Sequence, residues 1–182
     1  MHAADCSLRR SGSAWDVDRQ WIAQQFPVLL PLAVRWVARQ ERKILRRGVP
    51  LDELELRDAR AVGVVHPERV RLSPAKVVPW PGGSALLSAA RAAGFITGAT
   101  CGLTLGYGIY IRENCWRDRG LIAHELVHTA QYERLGGIEP FLRQYLGECL
   151  TVGYLNAPLE QEAVTVAQRL NIQPTPDVTI AS

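Results

Sequence analysis

What this chain lacks narrows what it can be. Its longest apolar run, Phe26 to Ala38, is interrupted by Pro27, Pro31 and Arg35, whereas a membrane-spanning helix needs about 20 apolar residues. Stable membrane insertion is therefore not expected. Met1 to Ala14 carries two arginines but no apolar segment behind them, so it does not read as a Sec signal peptide. A location in the cytoplasm is expected, or export by a route independent of such a signal. The excess of base over acid is only +3, from 21 Lys and Arg against 18 Asp and Glu. That is too little to point to a nucleic-acid partner. Four cysteines, Cys6, Cys101, Cys115 and Cys149, never fall in C-x-x-C spacing, which disfavours a thiolate zinc site. Cys101 and Cys115 bracket an expected strand and would pair in an oxidising compartment; elsewhere they stay thiols. There is no internal repeat and no low-complexity segment.

Histidine is scarce too, yet two of the four stand in one five-residue stretch, His124-Glu125-Leu126-Val127-His128. Leu121-Ile122-Ala123 before it and Thr129-Ala130 after it contain no proline or glycine, so the stretch is expected in mid-helix. Positions i and i+4 share a face of a helix. His124 and His128 thus project from successive turns and can hold one Zn²⁺ at roughly 2.0–2.1 Å per nitrogen. Glu125 lies about 100° round the axis. It is poorly placed as a third ligand but well placed to act as general base on a water at the metal. The bland alternative is a helix with two unliganded histidines.

With 182 residues, 47% hydrophobic and 21% charged, the chain has enough apolar residues for one core. A single domain over 1–182 is expected. Within it, 1–14 reads as flexible, 15–50 as an N-terminal helical segment, 100–172 as the metal-site region and 173–182 as a loose tail. Pro27 and Pro31 predict that the helical residues 15 to 47 form two pieces. Leu30, Val34, Val37, Ile44 and Leu45 make an apolar stripe there. Arg35, Arg39, Arg42, Lys43 and Arg46 make a basic face, for solvent or for an acidic surface.

Asp52, Glu53, Glu55 and Asp58 read as a short helix or turn; Val62 to His66 and Val70 to Leu72 read as short strands. His66, held extended by Pro67, reads as structural rather than as a ligand. Pro79 to Ser84 is a loop and Ala85 to Ala93 a helix. Leu103 to Ile111 alternates as a strand. Asn114 or Asp118 is a cap for the motif helix, and Gly136-Gly137 ends it. Ile138 to Leu150 and Pro158 to about Leu170 are further helices.

A strand leading into an H-E-x-x-H helix, with acids on later helices, resembles the minimal zincin metallopeptidase architecture. "GLTLGYGIYIRE" running into "LIAHELVHTAQYERLGG" is similar to bacterial zincin-like domains of the DUF4157 type, in which a glutamine commonly follows the motif, as Gln131 does here. The similarity extends through "APLEQEA" and covers about 70 of the 182 residues.

It implies an α+β fold with a small mixed or antiparallel sheet, an edge strand beside the motif helix, and N- and C-terminal helices. Among Glu-zincins (gluzincins) the third ligand is a glutamate on a later helix, often in E-x-x-A, which Glu160 and Ala163 match. Glu162 and Glu148 remain as alternatives. Many of those families place an aspartate one turn after the ligand; Val164 stands there instead. The activity implied is hydrolysis of peptide or protein substrates, with Glu125 activating a zinc-bound water and Zn²⁺ as the cofactor. The edge strand would pair with an extended peptide. Tyr107 and Tyr154 are candidates to donate to the oxyanion, but both read rather as packing tyrosines. Two other functions fit the same residues: a zincin-fold zinc-binding module that cleaves little, and a metal-free binding protein.

Overall fold

The computed structural model describes residues 12–81, 83–92 and 100–172. The expected flexible tail at 173–182, and all but the last residues of the expected flexible start, lie outside that range. Among the described residues the fold is α+β, with six α-helices and one mixed four-stranded sheet. In chain order the elements are α1 (Gly12–Arg47), β1 (Val49–Pro50), α2 (Glu53–Ala61), β2 (Arg71–Ala75), α3 (Ser84–Ala92), β3 (Gly102–Leu105), β4 (Gly108–Arg112), α4 (Arg119–Leu135), α5 (Ile138–Val152) and α6 (Pro158–Ile172). No helix among the described residues is long and apolar enough to cross a membrane.

The first helix departs from expectation, running unbroken through Pro27 and Pro31. The two prolines are four residues apart and both exposed, so they and the carbonyls they deprive of partners share the solvent side, where water replaces the lost bonds. Ile22, Leu29, Leu30, Ala33, Val37 and Ile44 are buried on the other side and anchor the helix to the core. Its basic residues from Arg35 to Arg46 are exposed.

Val62 to His66 does not form a strand either. Gly63 takes φ +98°, and the amides of Gly63 and Val64 return to the carbonyls of Arg60 and Ala59. This is a Schellman closure of α2 that only a left-handed residue permits. Leu103 to Ile111 is two strands rather than one. Leu105 pairs with Gly108 across the turn Gly106-Tyr107, with Gly106 at φ +70°.

The sheet order is β1-β2-β4-β3, with β2 and β4 parallel and the other pairs antiparallel. β3 is therefore an edge. Both faces of β4 are covered. Tyr110 joins a cluster with Leu30, Val37 and Ile44 of α1 and Phe141 of α5. Ile109 and Ile111 join Leu72, Ile122 and Leu126. Burial on both faces explains why Gly-Ile-Tyr-Ile is apolar throughout.

The acidic run at 52–58 has a specific use. Buried Asp58 receives a two-pronged bond from Arg119 at 2.8 and 3.0 Å, while Arg117 pairs with Glu55 and Asp52. Both arginines flank the start of α4, so α2 fixes where the motif helix begins. Cys101 and Cys115, bracketing the hairpin rather than a single strand, meet with sulfurs 2.8 Å apart.

Candidate metal centre

The motif lies in the middle of α4. Asp118 caps that helix through a 2.9 Å bond from the Leu121 amide, and Gly136 closes it in the left-handed conformation. Asp118, not Asn114, is thus the cap. α6 packs along α4 and starts at Pro158, where the Leu159 amide donates to Glu148 Oε2 at 2.9 Å. That start sets Glu160 in the first turn, facing the two histidines.

Four possible donor atoms of three side chains converge. His124 Nε2 and His128 Nε2 are 3.2 Å apart, and they stand 3.4 and 3.3 Å from the two carboxylate oxygens of Glu160. Taking one donor atom from each residue, the three lie within 4.8 Å of one another, close enough to share one ion. The donor set, two imidazoles and one carboxylate, is also one that zinc accepts. The residues present therefore fit the ion. Among the described residues His124, His128 and Glu160 form one group of this kind. His128 and Glu160 are buried, and His124 is about one-fifth exposed.

The other two carboxylates weighed for this place are elsewhere. Glu162 pairs with Arg134 at 2.7 Å on both oxygens, and Glu148 caps α6 and takes a bond from Gln144. His66 is exposed beside Glu68.

Two of the three side chains are held from behind. His128 Nδ1 is 2.8 Å from Gln131 Oε1. The Gln131 amide nitrogen donates to Leu159 O and Glu162 Oε2, so its oxygen must face the ring. An oxygen can only accept, hence Nδ1 carries the hydrogen and Nε2 offers its lone pair to the centre. Tyr145 donates to Glu160 Oε1, and Tyr154 bonds to the same carboxylate. Burial works against ionisation of Glu160, but the two histidines and Tyr145 prevail and hold its pKa well below the ordinary value. For His128, burial lowers the pKa; Glu160 and Glu125 outweigh it and leave it raised.

Glu125 is gripped by the edge strand. Thr104 Oγ1 lies 2.6 Å from its Oε2 and 2.9 Å from its backbone oxygen. Gly102 leaves room for it, since a Cβ there would stand 2.3 Å from Oε1. Tyr107, in contrast, is spent on Glu133, to which its hydroxyl donates at 2.9 Å, and it is absent from the cavity at the site. Tyr154 lines that cavity. Comparison with protein-family models, curated proteins and solved structures finds no match for this chain.

Residue spacing did not point to Gly102, Thr104 and Tyr145. Gln131 carried a usable signal, since it lies three residues after His128 on the same helix and such pairs meet.

Proposed function

We propose that this protein is a zinc-dependent metallopeptidase of the zincin type, hydrolysing peptide bonds at His124, His128 and Glu160 with Glu125 as general base. The observation that carries the reading is the convergence of two imidazoles and one carboxylate, with one donor atom from each within 4.8 Å of the others, beside a second buried carboxylate, Glu125, that Thr104 holds. A zinc ion held there supplies a Lewis acid that polarises a carbonyl and acidifies water.

The chain's own residues do the rest. Glu125, buried and fixed through Oε2 by Thr104, keeps Oε1 to take a proton from the attacking water and return it to the leaving amine. Gln131 keeps the His128 lone pair on the centre. Tyr145 and Tyr154 hold Glu160, so the carboxylate does not swing away as charge develops. The edge strand β3 lies beside Glu125, which puts an added substrate strand within reach of the base.

The test is paired. Zinc-loaded wild type is expected to cleave an unfolded protein such as casein, and Glu125→Gln to keep zinc and fold while kcat falls by at least about 100-fold. A wild type with one zinc per chain and no cleavage across a peptide library would leave a zinc-binding module in place of an enzyme. A wild type that takes up no zinc would end both.

A further inference from the structure

Cys101 and Cys115 lie outside the metal centre yet touch the elements that build it. Cys101 stands immediately before Gly102, the first residue of β3, and its carbonyl accepts from the Arg112 amide at 2.8 Å. Cys115 ends the turn Glu113–Cys115 that leads out of β4. Its carbonyl accepts at 3.1 Å from the amide of Asp118, the cap of α4. One sulfur thus belongs to the strand that carries Gly102 and Thr104, and the other to the lead-in of the helix that carries Glu125. The lead-in is itself anchored, since Arg117 and Arg119 bind the acids of α2. β3, in contrast, has no partner strand on its outer side among the described residues.

The two sulfurs are 2.8 Å apart, and both cysteines are partly exposed thiols. Reacting atoms about 3–3.5 Å apart are already poised, and a disulfide needs about 2.05 Å, so closing the bond asks for little side-chain movement. We propose that Cys101 and Cys115 form a redox-responsive site, whose disulfide ties the start of β3 to the start of α4 and clamps the edge strand on Glu125. The oxidant is a low-molecular-weight disulfide of the glutathione class. One cysteine thiolate attacks it, releasing one small thiol and leaving a mixed disulfide; the second cysteine thiolate then displaces the other half. Both cysteine S–H bonds and the S–S bond of the oxidant break, one protein S–S bond forms, and the two electrons and two protons leave on two small thiols. The neighbouring cysteine wins the second step because it is held beside the first, whereas a competing thiol must come from solution. With the bond open, β3 is held beside α4 only by noncovalent contacts such as the bond from Thr104 to Glu125. The disulfide does not depend on the peptidase reading above; its effect on turnover rests on it.

For the test, the full chain supplied with zinc is equilibrated in oxidised glutathione or in the reductant tris(carboxyethyl)phosphine. Thiol counting and peptide mapping should find two thiols lost on oxidation, joined as Cys101–Cys115. Closing residues 101 to 115, a loop of about 15, restricts the unfolded chain, so the oxidised form should melt roughly 5–10 °C higher. Amide exchange at Leu103 and Thr104 should slow about tenfold or more on oxidation. Casein cleavage should be roughly three- to tenfold faster in the oxidised form, in which the base is held in range. Cys115→Ser, or Cys101→Ser should the first variant not fold, should abolish every difference between the two states, whereas Cys6→Ser should keep them all. Retention of all four thiols, a bond made to Cys6 or Cys149 instead, or equal melting, equal β3 exchange or equal cleavage rates in the two states overturns the proposal and leaves the peptidase reading standing. A disulfide formed and β3 exchange slowed, with no cleavage by either form, refutes the peptidase reading and keeps the redox site.

Discussion

Replacing Gly102 by alanine is the smallest change that should disable the base without touching the metal ligands. The added Cβ would stand 2.3 Å from Glu125 Oε1, 2.7 Å from Cδ and 2.9 Å from Cγ. All three distances are too short to survive, so Glu125 must swing aside or β3 must retreat. Swinging breaks the 2.6 Å bond from Thr104, and a hydrogen bond to a charged group is worth about 1.5–3 kcal/mol. Retreat of β3 instead strains its pairing with β4 at Gly102 and Ile111. Stability should fall by about 1–3 kcal/mol. A base misplaced by about 1 Å loses on the order of 100-fold in rate, near 2.7 kcal/mol of transition-state stabilisation.

The two losses can be separated in a double-mutant cycle. In a Glu125→Ala background the clash has no second party. Gly102→Ala should then be neutral or stabilising by about 0.4–1 kcal/mol, because alanine restricts the unfolded chain. Denaturant titration of the four proteins, with zinc content and kcat on each active one, measures both. A Gly102→Ala cost equal in the two backgrounds, or a wild-type kcat with zinc bound, would refute the packing argument.

Glu160→Ala should weaken zinc binding by tenfold or more in a chelator competition, since one of three protein ligands is gone. Glu148→Ala, which removes the cap on the Leu159 amide and the exposed bond from Gln144, should cost about 1 kcal/mol of stability and little zinc affinity. Gln131→Ala should lower zinc affinity roughly 10- to 100-fold, the usual cost of losing the group that orients a histidine ligand, measured in the same titration. In chelator-treated protein, raised His128 adds stability that is complete below pH 6.5 and lost as pH rises through its folded pKa, whereas lowered Glu160 adds stability complete above pH 4.5 and lost as pH falls through its own. The melting-temperature gap between wild type and Glu160→Gln should thus be widest between pH 4.5 and 6.5, and zinc affinity should climb with pH above it as the His128 proton is surrendered.

The histidine pair and Glu125 were legible because all three lie within five residues of one helix, where a period of 3.6 converts spacing into geometry. Glu160 was legible only through a family pattern, since nothing local ties a residue 32 positions after His128 to the same point. Thr104 and Gly102 could not be read at all. Their importance comes from β3 lying beside α4, and a threonine in a strand has no sequence mark of its target. The proline rule failed in α1 for a definite reason. It predicts a break from the lost bonds, whereas the outcome depended on which side of the helix the two rings faced. The single-strand reading of 103–111 failed because alternation carries through a two-residue turn, although Gly106 and Gly108 flanking Tyr107 marked the reversal.

The residue that supports His128 is a neutral amide, and the surroundings account for that choice. Glu125 and Glu160 are already buried beside the two imidazoles, and a third buried carboxylate would cost several kcal/mol unless fully paired. Gln131 supplies the acceptor without the charge. The charge sits one bond further out, on Glu162, and is neutralised there by Arg134 at the partly exposed end of the chain of contacts. The same amide donates to the carbonyl of Leu159, the neighbour of Glu160 and the residue whose own amide Glu148 caps. One side chain thereby fixes the tautomer of a ligand on α4 and the backbone that carries the ligand on α6. A single group thus touches both the His128 ring and the backbone beside Glu160, which accounts for the complete burial of Gln131.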